Sequence, residues 1–276
     1  MLAALIIVFR EVIEAGLIIG IALAVTKSVP GAGRWIAGGV LAGVLASCVL
    51  AVFTGTLSSA FQGMGQELFN ASILGVAVLM LGWHNIWMAR HGRELAAEMK
   101  AAGAEVASGA RGVGALAVVV GVAVLREGAE VVLFLYGIVV SGNESPLQLL
   151  AGGFGGLLLG AAFTVLTYIG LVSIPLRHLF AATSLLIAFL AAGMAAQSMA
   201  FLESAGKVSA LGQEVWNTSG ILSEGSIPGR VLHTLIGYMD RPTVMELMVY
   251  LVTLGVILGL GRVFRPRSVA RVAAAA

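Results

Sequence analysis

The chain has 276 residues, of which 59% are hydrophobic and 11% are charged, and its formal net charge is +2 at pH 7. A soluble globular domain carries about 25% charged residues, so this composition excludes an ordinary soluble protein and predicts one that crosses a membrane several times. The lone cysteine, Cys48, excludes disulfides and cysteine-based metal sites within the chain. The small net charge indicates little about partners, and we expect no nucleic acid among them.

Seven apolar stretches follow one another along the chain, each close to the roughly 20 residues that a helix needs to cross a bilayer. No cleavable signal peptide is expected, because Arg10, Glu11 and Glu14 interrupt the first stretch. The sequence therefore predicts an all-α polytopic membrane protein that forms a single transmembrane domain over 1–276. The predicted spans are 2–25, 35–57, 67–89, 113–140, 147–172, 179–201 and 243–262.

Two short charged segments, 10–14 and 126–130, lie inside the first and fourth predicted spans. Each follows the pattern R-E-x-x-E, and a charged side chain near the bilayer centre costs about 2.5–3.5 kcal/mol. Glutamates three positions apart project from one face of a helix, and the arginine can reach the second glutamate at i, i+4. These charges therefore need to pair with one another or with a bound ion.

The spacing predicts one cation site near the middle of the membrane. Its ligands would be Glu11, Glu14, Glu127 and Glu130, and its supporting groups would be Arg10 and Arg126. With no cysteine and no histidine expected nearby, the site would offer only oxygen ligands, which suit ferric iron or, with other geometry, Mn²⁺, Ca²⁺ or Mg²⁺. The alternative is a pair of interhelical salt bridges that only hold the two spans together, a role that does not need repeated glutamates inside lipid.

The third predicted span contributes three further polar residues. Glu67, at its outer end, is a candidate entry ligand, or equally an acidic residue that the helix dipole favours at an N-terminus. His84 and Asn85 lie near the predicted inner end. For this pair, hydrogen bonding at the membrane interface is favoured over a role in lining an exit path.

Lysine and arginine are distributed unevenly among the connections, and cytoplasmic connections carry the excess of these residues. Eleven lie in the connections after spans one, three and five and in the C-terminal tail, whereas the opposite side has only Lys207, Arg230 and Arg241. This pattern predicts an N-terminus outside, and a C-terminus and a 90–111 connection in the cytoplasm. The exterior loop would be 202–242, and it could be a vestibule, a docking surface or a plain capping loop.

An internal repeat relates the first half of the chain to the second. The R-E-x-x-E motif recurs at an offset of 116 residues, and two shorter matches occur at offsets of 114 and 111. Since three spans is an odd number, the second copy must be inverted, and inverted repeats place transport sites near the midplane. Repeat one covers about 1–89, repeat two covers about 113–201, and the span at 243–262 is additional. The shorter matches are 37–39 with 151–153 and 68–72 with 179–183.

Glycines spaced four apart inside the spans predict close approach of helix backbones. The glycines concerned are Gly39 and Gly43, then Gly152, Gly156 and Gly160, and finally Gly255 and Gly259.

Beside the two charged motifs, the sequence reads Gln66-Glu67-Leu68-Phe69 at the start of span three, Trp216-Asn217-Thr218-Ser219 in the exterior loop and Ile236-Gly237-Tyr238 before span seven. With these motifs nearly the whole chain resembles the oxidase-dependent iron permeases, whose marker is R-E-G-L-E in the first and fourth spans. The resemblance implies a ferric-iron permease of seven spans in which Glu11, Glu14, Glu127 and Glu130 match the ion ligands. This chain keeps all four glutamates. Its first motif lacks the glycine of the marker and reads E-V-I-E, whereas its second motif keeps the glycine and reads E-G-A-E.

The resemblance also implies iron as a transported substrate, with no cofactor, and a partner protein. That partner would be a multicopper ferroxidase, or a periplasmic haem peroxidase with an iron-binding lipoprotein. We therefore predict a permease of the inner or plasma membrane and not an enzyme, in line with the absence of protease and hydrolase motifs. The alternatives are a carrier of another cation, such as Fe²⁺, Mn²⁺ or Pb²⁺, and a non-transporting membrane subunit of a metal-handling complex. A monomer and a homo-oligomer both remain open.

Overall fold

The computed structural model describes residues 1–60, 66–140, 145–170 and 176–263, apart from some side chains within the helices. The described residues contain no β-strand, and the isolated β-bridge between Glu214 and Thr243 is their one element of extended pairing. The prediction of an all-helical chain is confirmed. The helices are α1 (Leu2–Val25), α2 (Ala32–Ala60), α3 (Gln66–Ala107), α4 (Gly114–Val140), α5 (Pro146–Tyr168), α6 (Leu176–Ser204), α7 (Ile227–Ile236) and α8 (Val244–Val263).

Five of the described helices are long and apolar enough to cross a membrane, over 32–54, 66–87, 146–168, 181–204 and 244–263. α1 and α4 have 24 and 27 residues. At 1.5 Å per residue these helices measure about 36 and 40 Å, which exceeds the hydrocarbon thickness of about 30 Å. The three central charges in each of them are what distinguishes α1 and α4 from the other five.

α3 continues well beyond its predicted span of 67–89. Its 42 residues correspond to about 63 Å, so one end must project from any bilayer that the helix crosses. The projecting part packs back on the bundle, because Met99 and Val106 are buried with residues from α1, α2 and α4. The same cluster contains Ala22 near the end of α1 and Leu116 near the start of α4. These two helices therefore run in opposite directions.

Glycines allow α2 to pack tightly against α4. A Cβ atom added at Gly39 would lie 2.5 Å from the carbonyl oxygen of Ala117, and one at Gly43 would lie 2.7 Å from that of Gly121. One turn further along, a Cβ at Gly128 of α4 would overlap the side chain of Ser47. The predicted close approach is confirmed here, since no larger residue fits at these positions without a shift of backbone or neighbour.

α5 packs on α1 through an equivalent set of contacts. Cβ atoms added to Gly152, Gly156 and Gly160 would lie too close to Met1 and to Leu5 and Val12 of α1, respectively. For Gly156 the distance to the Leu5 carbonyl oxygen would be 2.5 Å. The three glycines of α5 follow the three contact residues of α2 by 113 positions. The pairs are Gly152 with Gly39, Gly156 with Gly43 and Gly160 with Ser47. The residues that the α5 glycines contact precede the α4 residues that α2 contacts by 116 positions. The pairs are Met1 with Ala117, Leu5 with Gly121 and Val12 with Gly128. The two helix pairs thus use matching contacts.

α3 and α6 exchange two hydrogen bonds that are related in the same way. Asn85 Nδ2 donates to the Ser184 carbonyl oxygen at 3.1 Å, and Ser198 Oγ donates to the Ala71 carbonyl oxygen at 2.8 Å. Ser184 follows Ala71 by 113 positions, and Ser198 follows Asn85 by the same number. The short sequence matches indicated offsets of 114 and 111 instead. Asn85 therefore joins two helices close to the end of the apolar stretch 66–87, and its predicted hydrogen bonding at the membrane interface stays a prediction.

α8 packs mainly on α6 and also contacts α3, where Ile257 lies beside Gly82. Gly255 and Gly259 are on its outer side. A Cβ atom added at either position would meet no atom within 4 Å in the described part of the chain. The close packing predicted for this pair is wrong as far as the described residues extend.

The segment between α6 and α8, inside the predicted loop 202–242, is folded onto the end of the bundle. Tyr238 donates a hydrogen bond from its hydroxyl to the Leu222 carbonyl oxygen at 2.8 Å, and Trp216 donates from Nε1 to the Met239 carbonyl oxygen at 3.2 Å. α7 lies within this segment and packs on α6. These contacts favour the capping-loop interpretation over an open vestibule.

A small polar cluster in this segment is separate from the charged motifs. His233 Nδ1 lies 3.1 Å from Glu224 Oε1 and 2.8 Å from the Tyr238 carbonyl oxygen. Burial raises the pKa of Glu224, the Asp240 carboxylate adds to the increase, and His233 opposes it. Hydrogen bonds within the segment account for this cluster.

Candidate metal site

The two R-E-x-x-E segments are adjacent in the structure, where α1 contacts α4. We use the term carboxylate cluster for their glutamates, whose relative exposures are 1% for Glu11, 3% for Glu14, 2% for Glu127 and 8% for Glu130. On each helix the three-residue spacing directs both carboxylates to the side of the other helix. The structure thus brings together the four residues that the sequence singled out.

Each arginine pairs with the second glutamate of its own motif, as predicted. Arg10 Nε lies 2.8 Å from Glu14 Oε1, and Arg126 Nε lies 3.4 Å from Glu130 Oε1. The first glutamates are further away, with both Arg10 to Glu11 and Arg126 to Glu127 at 3.9 Å. Four carboxylates and two guanidinium groups leave a formal charge of −2, before any histidine is counted.

The two arginines differ in environment, although their motifs match. The Arg10 side chain is 1% exposed, whereas that of Arg126 is 37% exposed. The Arg126 guanidinium carbon also lies 4.2 Å from the centre of the Trp87 ring, in cation–π geometry. Arg10 is therefore confined among carboxylates, and Arg126 has a second partner and access to the surroundings.

We expect Arg10→Gln to destabilise the protein more than Arg126→Gln. Removing one partner of a buried ion pair costs about 3–5 kcal/mol, because the other charge stays buried and uncompensated. Loss of the partly exposed Arg126 should cost less, because the charge left on Glu130 is less completely shielded from the surroundings. Thermal unfolding of the two purified variants in detergent measures the difference, and equal shifts would contradict the expectation.

His84 of α3 lies inside the site, so the prediction that no histidine is nearby is wrong. Its ring is 4% exposed and approaches one glutamate of each motif. Nε2 lies 3.5 Å from Glu14 Oε2, and Nδ1 contacts Glu130 Oε2. A histidine within an apolar span is itself a signal of function. A predicted span that ends at 89 places His84 near the membrane surface, where a polar residue needs no functional explanation.

Donor atoms of Glu11, His84, Glu127 and Glu130 all lie within 4.8 Å of one another. Metal–ligand distances of about 2.0–2.6 Å put opposite ligands roughly 4–5 Å apart. Both oxygens of Glu11 and one oxygen each of Glu127 and Glu130 have no hydrogen-bond partner among the described residues. The arrangement therefore suits a bound cation better than a closed salt-bridge network. Glu14 stands outside this group of four, next to Arg10.

Glu67 does not belong to the carboxylate cluster. It is exposed in the first turn of α3, and the 17 positions that separate it from His84 correspond to about 25 Å along the helix. A role as an entry ligand stays a prediction.

A comparison with families of known proteins places the chain in one of them. Residues 1–267 match the model of the iron permease FTR1 family. The chain belongs to this family. Members of the FTR1 family are permeases, so iron is a transported substrate here, and the predictions of a permease and not an enzyme are confirmed.

Three curated relatives of this FTR1-family chain carry the name ferrous iron permease EfeU. The protein of Yersinia pestis is 33% identical over 255 residues, which cover 90% of this chain and 88% of the relative. The Yersinia pseudotuberculosis protein is also 33% identical, with 90% and 87% covered, and the Escherichia coli O6:K15:H31 protein is 32% identical, with 90% of each chain covered. No solved structure matches the chain.

Proposed function

We propose that the protein moves iron across the membrane through the carboxylate cluster of Glu11, Glu14, Glu127 and Glu130. The observation that supports this most directly is the burial of four carboxylates beside two guanidinium groups and one imidazole, which are too few cationic groups to balance them. Unpaired charge inside lipid is costly, and a cation entering the cluster supplies the missing positive charge. The cluster would open alternately to the two sides of the membrane.

The proposal includes seven spans, with α1 and α4 crossing as well as the five apolar helices. It also includes an inverted repeat of about 1–89 and about 113–201 within one transmembrane domain. Three features support the repeat: the matching contacts of α2 with α4 and of α5 with α1, the paired hydrogen bonds of α3 and α6, and the opposite directions of α1 and α4. An inverted repeat of this kind places the carboxylate cluster at the interface of the two copies.

The proposed location is the inner or plasma membrane, with the N-terminus outside and the C-terminus in the cytoplasm. In a Cys48→Ser background, we expect Glu98→Cys in the α3 extension to be protected from a membrane-impermeant maleimide in intact cells. Ser209→Cys, in the segment before α7, should be labelled. Both residues are exposed, so opening the membrane must make both reactive. Labelling of Glu98→Cys in intact cells would reverse the orientation.

The oxidation state of the ion separates two versions of the proposal. The resemblance to oxidase-dependent permeases implies Fe³⁺, supplied by a multicopper ferroxidase or by a periplasmic haem peroxidase with an iron-binding lipoprotein. The similar enterobacterial proteins are named ferrous iron permeases, which points to Fe²⁺ and needs no oxidation before transport.

Uptake of radioactive iron into liposomes that contain only this chain tests the proposal. The iron is offered either as Fe²⁺ with ascorbate or as a soluble Fe³⁺ chelate, and empty liposomes serve as the control. Uptake in one state identifies the substrate ion. Binding without uptake in either state would favour the alternative of a non-transporting subunit.

A further inference from the structure

We propose that His84 supplies a nitrogen ligand to the transported ion, which makes the site selective for divalent transition-metal ions such as Fe²⁺ over Ca²⁺ and Mg²⁺. This inference rests on the proposed transport through the carboxylate cluster. His84 lies outside both R-E-x-x-E motifs, on α3, and it contacts one glutamate of each motif. His84 therefore brings a third helix into contact with the cluster.

The surroundings of the imidazole ring favour a ligand over a structural role. A buried polar side chain that serves packing is normally hydrogen-bonded. His84 is 4% exposed, and beyond ion-pair contacts with two glutamates neither ring nitrogen makes a well-directed hydrogen bond to any described residue. The atoms that face the two nitrogens are oxygens of Glu14 and Glu130. Both nitrogens thus point into the volume that the carboxylates surround.

The donor atoms available to one ion are three carboxylates and one imidazole. They come from Glu11, Glu127, Glu130 and His84, within 4.8 Å of one another. Glu14 is held by Arg10 at 2.8 Å, so His84 takes a place that the sequence had predicted for a fourth carboxylate. Small side-chain movements bring these four atoms to the distances of a coordination sphere.

Imidazole nitrogen changes which ions the site prefers. Ca²⁺ and Mg²⁺ take oxygen ligands almost entirely. Imidazole suits iron and the later divalent transition metals, whose affinities for nitrogen-containing sites rise along the Irving–Williams order. Three carboxylates alone would leave Fe²⁺ competing with the far more abundant Ca²⁺ and Mg²⁺. The single histidine gives the site a means of distinguishing them.

The second repeat does not duplicate this ligand. The position that follows His84 by 113 residues is Gln197, a half-buried residue of α6. The imidazole is therefore present once, on the α3 side, although the carboxylates are contributed by both repeats. Selectivity is expected to depend on residue 84 alone.

Iron K-edge X-ray absorption of the purified, Fe²⁺-loaded protein tests the ligand directly. We expect outer-shell scattering from imidazole in the wild type and in His233→Gln, and its loss in His84→Gln. His233 is a matched control, because it is a histidine next to a glutamate but lies in the segment before α8. Imidazole scattering that persists in His84→Gln, or that is absent from the wild type, overturns the proposal.

Metal binding then separates a ligand from a structural residue. For His84→Gln we expect Fe²⁺ affinity to fall by at least about tenfold, as for loss of a group that orients a metal ligand, with Ca²⁺ affinity unchanged. In a Cys48→Ser background, His84→Cys should shift the preference towards Cd²⁺, because thiolate is a softer ligand. Equal losses for Fe²⁺ and Ca²⁺, or no shift with cysteine, would indicate a purely structural role. Wild-type protein that binds Fe²⁺ but moves none across liposomes would contradict the proposed function and leave these ligand measurements valid.

Discussion

Glu11→Gln is expected to reduce iron uptake to the background of empty liposomes. Both oxygens of Glu11 are buried without a well-directed hydrogen bond to any described residue, and the nearest guanidinium nitrogen of Arg10 is 3.9 Å away, so this carboxylate is only weakly held. Glutamine has the same shape but lacks the negative charge that a cation needs in a low-dielectric site. Uptake should therefore fall at least about tenfold, while insertion and folding are retained. Radioactive iron uptake at matched protein amounts measures the effect.

Glu130→Gln should also abolish uptake, although Glu130 contacts Arg126 and His84 as well. For that reason its thermal stability must be measured alongside transport. Glu67→Gln is the matched control, since it removes the same charge from an exposed position about 25 Å along α3 from the cluster. Near-normal uptake by both cluster variants would show that iron does not pass through these glutamates.

Gly43→Ala and Gly156→Ala are expected to destabilise the protein by similar amounts. The added methyl group would lie 2.7 Å from the Gly121 carbonyl oxygen in the first variant and 2.5 Å from that of Leu5 in the second. Each backbone would have to move apart, and overpacking of this kind costs about 1–3 kcal/mol. The costs should match, because the two positions make equivalent contacts in the α2–α4 and α5–α1 pairs.

Gly38→Ala and Gly153→Ala are the controls for this pair. A methyl group at Gly38 meets nothing within 4 Å, and one at Gly153 makes only an ordinary contact with Val8 at 4.0 Å. Alanine is the better helix former by about 0.8–1 kcal/mol, so these variants should be as stable as the wild type or more so. Thermal unfolding, monitored by size-exclusion chromatography, compares the stabilities of all four variants. A loss of stability in the controls that equals the loss in Gly43→Ala would refute the packing argument.

The sequence contains start and stop signals for α7, a helix in a segment that we predict as a loop. α7 lies inside a segment predicted as loop, yet Ser226 accepts a hydrogen bond from the Gly229 amide as an N-cap, and Pro228 stands in the first turn. Gly237 ends the helix with a φ of 68°, in the left-handed region. Serine, proline and glycine at these positions are the recognised start and stop signals of a helix. Because the segment has no long apolar stretch, it is predicted as a loop despite these signals.

The sequence by itself determined the elements of the charged motifs. An apolar run long enough to span a bilayer sets the extent of α1, predicted over 2–25 and found over Leu2–Val25. Within one helix the 3.6-residue period dictates which side chains share a face, so the pairing of Arg10 with Glu14 and of Arg126 with Glu130 followed from spacing alone. These are local relations, and local geometry is contained in the order of residues.

Only the tertiary structure decided which helix faces which. His84 lies 46 positions from Glu130 along the chain, and no periodicity connects them; they meet because α3 packs against both α1 and α4. The same packing buries Arg10 and leaves Arg126 partly exposed beside Trp87, although the two motifs match in sequence. Contacts between helices depend on the shapes of whole surfaces, to which small residues such as Gly39 and Gly156 contribute by letting backbones touch. An imidazole among the carboxylates is a product of that packing.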